Sequence, residues 1–293
     1  MRRGALLYNP AAGRRRAVGL LDGIRAALAA GGWEIEAVPT GYPGGATTLA
    51  AELAREGRVE AVFAAGGDGT LREVAAGLLG SDVALAPLPV GTTNVLVRAL
   101  GVPREPLAAA RALARGVRRP LAVGICGETP FLMMVSAGLD AAIMGALSGE
   151  RKARWGQLAV VAQGLSSWRR YRYPQVTARW DGAEATGTFA CVCNIPLYAG
   201  SLAMVPTARC DDDSLELVLL HGGGRRVTLG FAADLLRGRH LARADVTSAC
   251  VGELELLGPP ELPLQVDGDP CREALPARVR VAKRRLQVLV PAS

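Results

Sequence analysis

The chain has 293 residues, half of them hydrophobic but only 4% aromatic, which suffices for about two packed domains and excludes a disordered chain. Its formal net charge of +7 favours anionic partners such as nucleotide phosphate or an acidic lipid surface, although an excess of Arg over Lys beside so much Ala and Gly is also what a GC-rich genome encodes. No apolar run reaches the ~18–20 residues that a bilayer span needs, and the start MRRGALLYNP is too short in apolar residues for a signal peptide, so a cytoplasmic protein is expected. Six cysteines without a CxxC spacing, and only two histidines, argue for buried reduced thiols rather than zinc.

Strand and helix alternate from the N-terminus. GALLYNP (4–10) reads as a strand, and residues 16–31 as a helix with apolar positions at 17, 20, 21, 24, 27 and 28. WEIEAVPT (33–40) is a strand, 43–57 a helix, 59–66 a buried strand, 70–80 a helix, 83–91 a strand and 92–101 a helix. This order implies a parallel sheet with helices on both faces. Past Arg118–Pro120 strands follow strands: RRPLAVGIC beside FLMMVSAG, then QVTARWDG, TGTFACVCNI, SLELVLL, ELELLG, LPLQVDGD and ARVRVAKRRLQVLV. Helical insertions interrupt them near 153–170 and 226–240. The expected fold is α/β: a parallel-sheet domain over 1–119, then a mostly antiparallel β-sandwich over 120–293 whose last strand is free to return to the first domain.

The segment AVFAAGGDGTLREVAAGL (61–78) strips side chains from a turn and leaves one acid, Asp68. Gly66, Gly67 and Gly69 end a buried strand just before a helix, where open α/β sheets bind ligands. Glycines permit positive φ and close approach of N–H groups to phosphate, and the helix start favours an anion. An acid there makes sense if a cation or proton intervenes: Asp68 could hold magnesium against a nucleotide phosphate, or orient an attacking hydroxyl. Alone, GGDG is equally a tight turn with an Asp cap. Asn9, Pro10 and Gly13, Thr40, and Gly91, Thr92, Thr93 and Asn94 give the other strand ends the same small or polar character, which suits a nucleotide.

GGDGTLREVAAGL, with NP..G before it and PLPVGTTNVLVRALGVP after it, resembles the diacylglycerol kinase catalytic-domain family, which includes bacterial lipid kinases and sphingosine kinases. SAGLDAAIM (136–144), NIPLYAGSLAMVPTARCDDDSLELVLL (194–220) and LPLQVDGDP (262–270) continue the resemblance in order over nearly the whole chain. It implies ATP- and magnesium-dependent phosphorylation of a lipid hydroxyl in a cleft between an α/β domain and a β-sandwich. By position, Gly66, Gly67, Asp68, Gly69 and Thr70 resemble the nucleotide and magnesium loop; Asn9, Thr40, Thr92 and Asn94 resemble accessory nucleotide contacts. Asp267 and Asp269 resemble the D-G-E turn, whose acids deprotonate the acceptor or position ATP; the catalytic candidates are Asp267, favoured as the base, and Asp68, which could hold magnesium or orient or deprotonate the attacking hydroxyl. Asp212, next to Asp211, resembles a second metal site. Asp269 replaces the family's Glu; Asp213 and Ser201 replace glycines, and an Asp on positive φ at 213 is mildly strained.

Taken alone, Asp267–Gly268 is also a type I′ hairpin signal. WRRYRYP (168–174), after an apolar helix over 155–168, mixes aromatic and basic residues as a bilayer interface does, and equally as a packed aromatic cluster with solvated arginines. RRR (14–16) could meet phosphate or lipid. The expected partner is a lipid substrate at an acidic membrane surface, met by transient association, with a homodimer left open. The alternative is a kinase of the NAD kinase type, which shares GGDGT and takes a soluble nucleotide. Nucleic acid is not expected, because no aromatic RNA motif or recognition helix accompanies the charge.

Overall fold

The computed structural model describes residues 1–9, 17–42, 44–146, 164 and 166–292. The chain divides into two compact units, Met1–Ala122 with Lys283–Ser293, and Val123–Ala282.

The first unit runs β1 (Arg2–Tyr8), α1 (Ala17–Ala30), β2 (Trp33–Pro39), α2 (Gly45–Glu56), β3 (Ala61–Gly66), α3 (Asp68–Leu78), β4 (Ala84–Pro89), α4 (Val95–Ala99), α5 (Pro106–Ala114) and β5 (Val117–Leu121), and is completed by the last strand, β20 (Leu286–Val290). The sheet order is β2-β1-β3-β4-β20-β5; every neighbouring pair is parallel except β20 with β5. β3 is buried along its whole length, as expected of a central parallel strand covered on both faces. Right-handed crossovers put α1 on one face, where it packs on α5, and α2 with α3 on the other. Trp33 joins the layers: its ring stands edge-on to Phe63 at 5.0 Å, and its Nε1 donates to the Ala114 carbonyl at 3.0 Å.

The second unit holds two six-stranded antiparallel sheets. One is ordered β10-β9-β16-β19-β6-β7, from Ala183–Gly187, Val176–Trp180, Glu253–Leu257, Ala277–Val281, Gly124–Cys126 and Thr129–Phe131. The other is β15-β14-β11-β8-β17-β18, from Val246–Val251, Leu215–Leu220, Phe189–Cys193, Met134–Ala137, Leu264–Val266 and Asp269–Pro270. Alternate side chains, among them Phe131, Val135, Val192, Leu217, Leu256 and Val279, form the sandwich core. The short ribbon β12 (Leu197–Tyr198) with β13 (Leu202–Ala203), α6 (Leu139–Ala146) and α7 (Arg225–Leu236) are added to this frame. The expected helix over 153–170 lies mostly outside the described residues; 166–170 are helical. Among the described residues no helix is long and apolar enough to cross a membrane.

Three sequence expectations change. RRPLAVGIC is not one strand of the sandwich: Val117–Leu121 pairs with β20 in the first unit, and Gly124–Cys126 pairs with β7 and β19 in the second. ARVRVAKRRLQVLV splits into β19 and β20, one in each unit, so the last strand does return to the first domain, as the sequence left open, and the Ala282 N–H donates to the Val123 carbonyl at 2.7 Å where the second unit begins and ends. The chain therefore passes between units after Ala122, not at 118–120, which lies inside β5. Finally, α5 has no counterpart in the periodicity-based reading, yet its start is written in the sequence: the Glu105 carboxylate accepts the Leu107 and Ala108 N–H groups, and Pro106 fills the first helical position.

Candidate functional site

The chain leaves β1 for the outer strand β2 and returns to place β3 on the other side of β1. That reversal makes the carboxyl ends of β1 and β3 the switch point of the sheet, where an open α/β sheet forms its ligand crevice. Tyr8 lies opposite both Pro39 and Ala65, and Gly66 opposite Pro89, so Asn9, Thr40, the Gly66–Thr70 turn and the Gly91–Asn94 loop all leave the sheet along one edge. Pro10, Gly13 and Arg14–Arg16 lie outside the described residues.

The glycines serve close approach, not left-handed backbone. Gly67 has φ −91°, and none of Gly66, Gly67, Gly69 and Gly91 is on positive φ. The Val90 and Gly91 N–H groups donate to the Gly66 carbonyl at 3.3 and 3.1 Å. A Cβ on Gly91 would stand 2.4 Å from the Gly67 Cα, and one on Gly66 would strike the Thr70 side chain at 2.5 Å. The two loops touch through bare backbone.

Asp68 is the first residue of α3, but it does not cap its own helix. Its Oδ2 accepts the Val95 N–H at 3.1 Å and its Oδ1 the Leu96 N–H at 3.3 Å, so it caps α4 across the turn. Asn94, the residue at the head of α4, sits on positive φ (49°) and turns its amide away, donating from Nδ2 to the Gly91 carbonyl at 2.7 Å. Its Oδ1 is buried with no hydrogen-bond partner, an uncommon state for a buried acceptor. In α3 the first amide to donate within the helix is that of Leu71, to Gly67 at 3.0 Å; the amides of Gly69 and Thr70 belong to the turn that a helix leaves for other acceptors. Thr40 is buried, with its hydroxyl spent on the Tyr8 carbonyl at 3.3 Å, whereas Thr92 is exposed.

In the second unit Asp267 and Gly268 both have positive φ, 51° and 83°, and form the two-residue turn between β17 and β18 that the Asp-Gly pair predicts. The Asp267 side chain is almost wholly buried. It is 5% exposed, and its oxygens accept the Leu132, Met133 and Met134 N–H groups at 2.8, 2.8 and 3.0 Å. Asn194 serves the same stretch from its carbonyl side: its Nδ2 donates to Leu132 at 2.8 Å and its N–H to Met133 at 2.7 Å. Asp267 thus also holds a buried connection between β7 and β8. Asp269, two residues on, keeps part of its surface.

A further acid lies close by. Asp140, in the first turn of α6, receives hydrogen bonds from Ser136 Oγ (2.5 Å), Ala141 N (2.7 Å), Tyr198 Oη (3.0 Å) and Gln265 Nε2 (3.3 Å). Burial pushes its carboxyl above the usual carboxylate value, against the pull of those four donors. Gln265 also donates to Ser136 Oγ at 2.7 Å and accepts the Gly268 N–H on its Oε1 at 2.7 Å, so one side chain ties Asp140 to the Asp267–Asp269 turn. Sequence reasoning placed Asp140 only inside a resembling segment; two of its four partners, Tyr198 and Gln265, come from 58 and 125 positions away and left no local signal.

For metals, Asp211 pairs with Arg209 at 2.9 Å, and Asp212 closes its own turn by accepting Ser214 N and Oγ at 3.0 and 2.7 Å. Asp213 is not on positive φ, so the strain expected there is absent. Among the described residues no three His, Cys, Asp or Glu side chains form a group able to hold a metal, which leaves Asp212 without a cage of side chains. Magnesium bound to phosphates needs only one or two carboxylates beside water, and Asp68 fits that lighter requirement. The aromatic residues of 168–174 face inward: Tyr171 and Tyr173 pack edge to face at 5.2 Å with both hydroxyls buried, while Arg169, Arg170 and Arg172 are exposed.

Residues 3–126 match the family model described as the diacylglycerol kinase catalytic domain, and residues 133–290 the model described as the YegS C-terminal NAD kinase beta sandwich-like domain. The protein is 28% identical to a protein named diacylglycerol kinase from Bacillus subtilis, over 99% of this chain and 97% of that one. It is 32% identical to a YegS-like lipid kinase of Pseudomonas aeruginosa, over 92% and 90% of the two chains. A solved structure of a candidate diacylglycerol kinase from Bacillus anthracis superposes with a TM-score of 0.83 at 24% identity, covering 99% of this chain and 95% of that one, which speaks to the fold.

Proposed function

This chain belongs to the family built on the diacylglycerol kinase catalytic domain, and on that premise we propose that it transfers the γ-phosphoryl group of ATP, with magnesium, to the hydroxyl of a lipid such as diacylglycerol or a sphingoid-type acceptor. The observation that carries the reading is the contact of bare backbone at the switch point, Gly67 against Gly91, with α3 starting there and the unpaired Asn94 Oδ1 beside it. Small residues admit the phosphates to the amides of the Gly67–Thr70 turn. Asn94 Oδ1 offers an acceptor to a ribose hydroxyl or base amino group, which accounts for its lack of a protein partner.

Each residue has a distinct task. Asp68 holds α4 and its loop in place, and its carboxylate is the group that would hold the magnesium, through water, beside the phosphates. Held there, magnesium would supply neutralisation of the charge that builds on the transferred group. For the proton of the acceptor alcohol the candidates are the carboxylates of the Asp267–Asp269 turn, and we assign that role to Asp269. Three N–H groups already bind the Asp267 oxygens and 5% of the residue is exposed, whereas Asp269 in the same turn keeps more of its surface. Phosphorylation of NAD is a second reading, supported only by the sandwich's family description; the relatives named as lipid kinases favour a lipid.

The test is incubation with γ-labelled ATP and magnesium, in one arm with detergent-dispersed diacylglycerol and a sphingoid base, in the other with NAD, followed by mass spectrometry of the labelled product. A phosphorylated lipid with unmodified NAD is expected. Label on NAD alone, or on nothing, overturns the assignment.

A further inference from the structure

The helix α7 has apolar residues on two faces. Phe231 and Leu235 point inward, Phe231 packing on Phe189 and on His240 with ring centroids 5.7 Å apart in each case. On the opposite side, one period of 3.6 residues aligns Arg225, Leu229, Ala232 and Leu236, all exposed. Leu229 is 61% and Leu236 71% exposed, which puts both among the few large hydrophobic side chains that this chain leaves in water. Two leucines at i and i+7 on one helix face are about 10 Å apart.

Charge surrounds this apolar pair. Arg226 and Arg237 fall along one edge of the face and Arg239 follows the helix end; all three are exposed. The helix contains one acid, Asp234, and it is paired: Arg243 Nη1 binds it at 2.6 Å while Nη2 binds Asp245 at 2.7 Å, one cation shared by two acids. That clamp also fixes the C-terminal half of α7 to the turn before β15. At the other end Arg225 donates to the Arg169 carbonyl at 2.5 Å and lies 5.9 Å from the Trp168 ring, so the basic surface continues into Arg169, Arg170 and Arg172.

We propose that the outward face of α7, with Leu229 and Leu236 flanked by Arg226, Arg237 and Arg239, docks the second unit on an anionic bilayer surface. The leucines enter the acyl boundary and the arginines meet lipid phosphates, the division of labour of an interfacial helix. The charge selects the occupant: a second copy of this chain would bring the same arginines against themselves, whereas an acidic lipid surface complements them. The proposal rests on the lipid-kinase reading for its purpose, not for its measurement, since docking needs neither ATP nor turnover.

The experiment is co-sedimentation of the full chain, without nucleotide, with vesicles of phosphatidylcholine alone or mixed with phosphatidylglycerol. The wild type is expected to bind the anionic vesicles at least about tenfold more tightly, with an advantage that shrinks as salt is raised. L229A/L236A should lose about tenfold per leucine on anionic vesicles, and R226E/R237E/R239E should lose the anionic preference. Both variants change exposed positions, and circular dichroism checks that they fold. Their turnover on monomeric short-chain diacylglycerol should equal wild type. Wild-type vesicle binding by folded L229A/L236A overturns the proposal, as does a variant that instead converts a dimer to a monomer in sedimentation velocity. Loss of vesicle binding in the variants of a protein that phosphorylates no lipid would sink the kinase reading and leave the docking face standing.

Discussion

Removing the Asp68 carboxylate should damage the fold as well as the chemistry. In D68A the Val95 and Leu96 N–H groups lose their acceptors, and no substitute is at hand: Asn94 holds positive φ and directs its side chain to Gly91. α4 has only five residues, so losing its cap frays most of it. A helix cap is worth about 0.5–2 kcal/mol and charge-assisted bonds somewhat more, which puts the cost of D68A at about 2 kcal/mol. For a unit of this size that is a fall of roughly 5–10 °C in melting temperature. D68N keeps one oxygen and a good capping residue, so about half that loss is expected. Thermal unfolding by circular dichroism reads the magnitude, and amide exchange at Val95 and Leu96 reads the location. D68A with wild-type stability and unaltered exchange at those two amides would refute the capping role, and a D68N as unstable as D68A would refute the reasoning about oxygens.

Other perturbations separate positioning from chemistry. G91A must part the two loops, since its Cβ would lie 2.4 Å from Gly67 Cα; nucleotide affinity measured by calorimetry should fall at least about tenfold, with a stability cost of about 1–3 kcal/mol. D267N should destabilise the protein by about 2 kcal/mol or more, because an amide cannot accept all three N–H groups. D269N should leave stability unchanged and lower turnover by about 10²–10⁴-fold; the reverse pattern in denaturation and rate measurements would return the base to Asp267. Asp140 carries a raised carboxyl, so the folded chain holds its proton more tightly than the unfolded one: stability is favoured below the ordinary value of 3.8 and declines as pH rises from there through the folded value. The difference between wild type and D140N in urea melts should show that decline; a difference independent of pH would contradict it.

The alternation of the first unit was legible because each strand of its sheet is bounded by glycine or proline and each of α1 to α3 carries a clear period. The close approach of the GGDG turn to the next loop was legible because side chains are missing where packing alone would keep them. What Asp68 does was not: its partners are 27 and 28 residues away, on a helix whose own capping residue faces elsewhere. Asp267 shows the same limit. An Asp-Gly turn announces itself locally, but the three amides that occupy its carboxylate lie more than 130 residues earlier. The crossing at Ala122 was misread because the β-rich composition runs unbroken through it, and only pairing divides RRPL from GIC; the return of the last strand was left open by the sequence and is what the structure shows. The aromatic and basic segment 168–174 stood out by composition, whereas no compositional signal distinguishes the exposed Leu229 and Leu236 from core leucines.

The central claim is that the turn after β3 and the loop after β4 together cradle a triphosphate. Hydrogen–deuterium exchange with and without magnesium-ATP tests it most directly, by peptides covering residues 66–70 and 91–96. Slowed exchange in both peptides is the result this account predicts; ATP that leaves both unchanged, whether by binding elsewhere or by not binding, would contradict it.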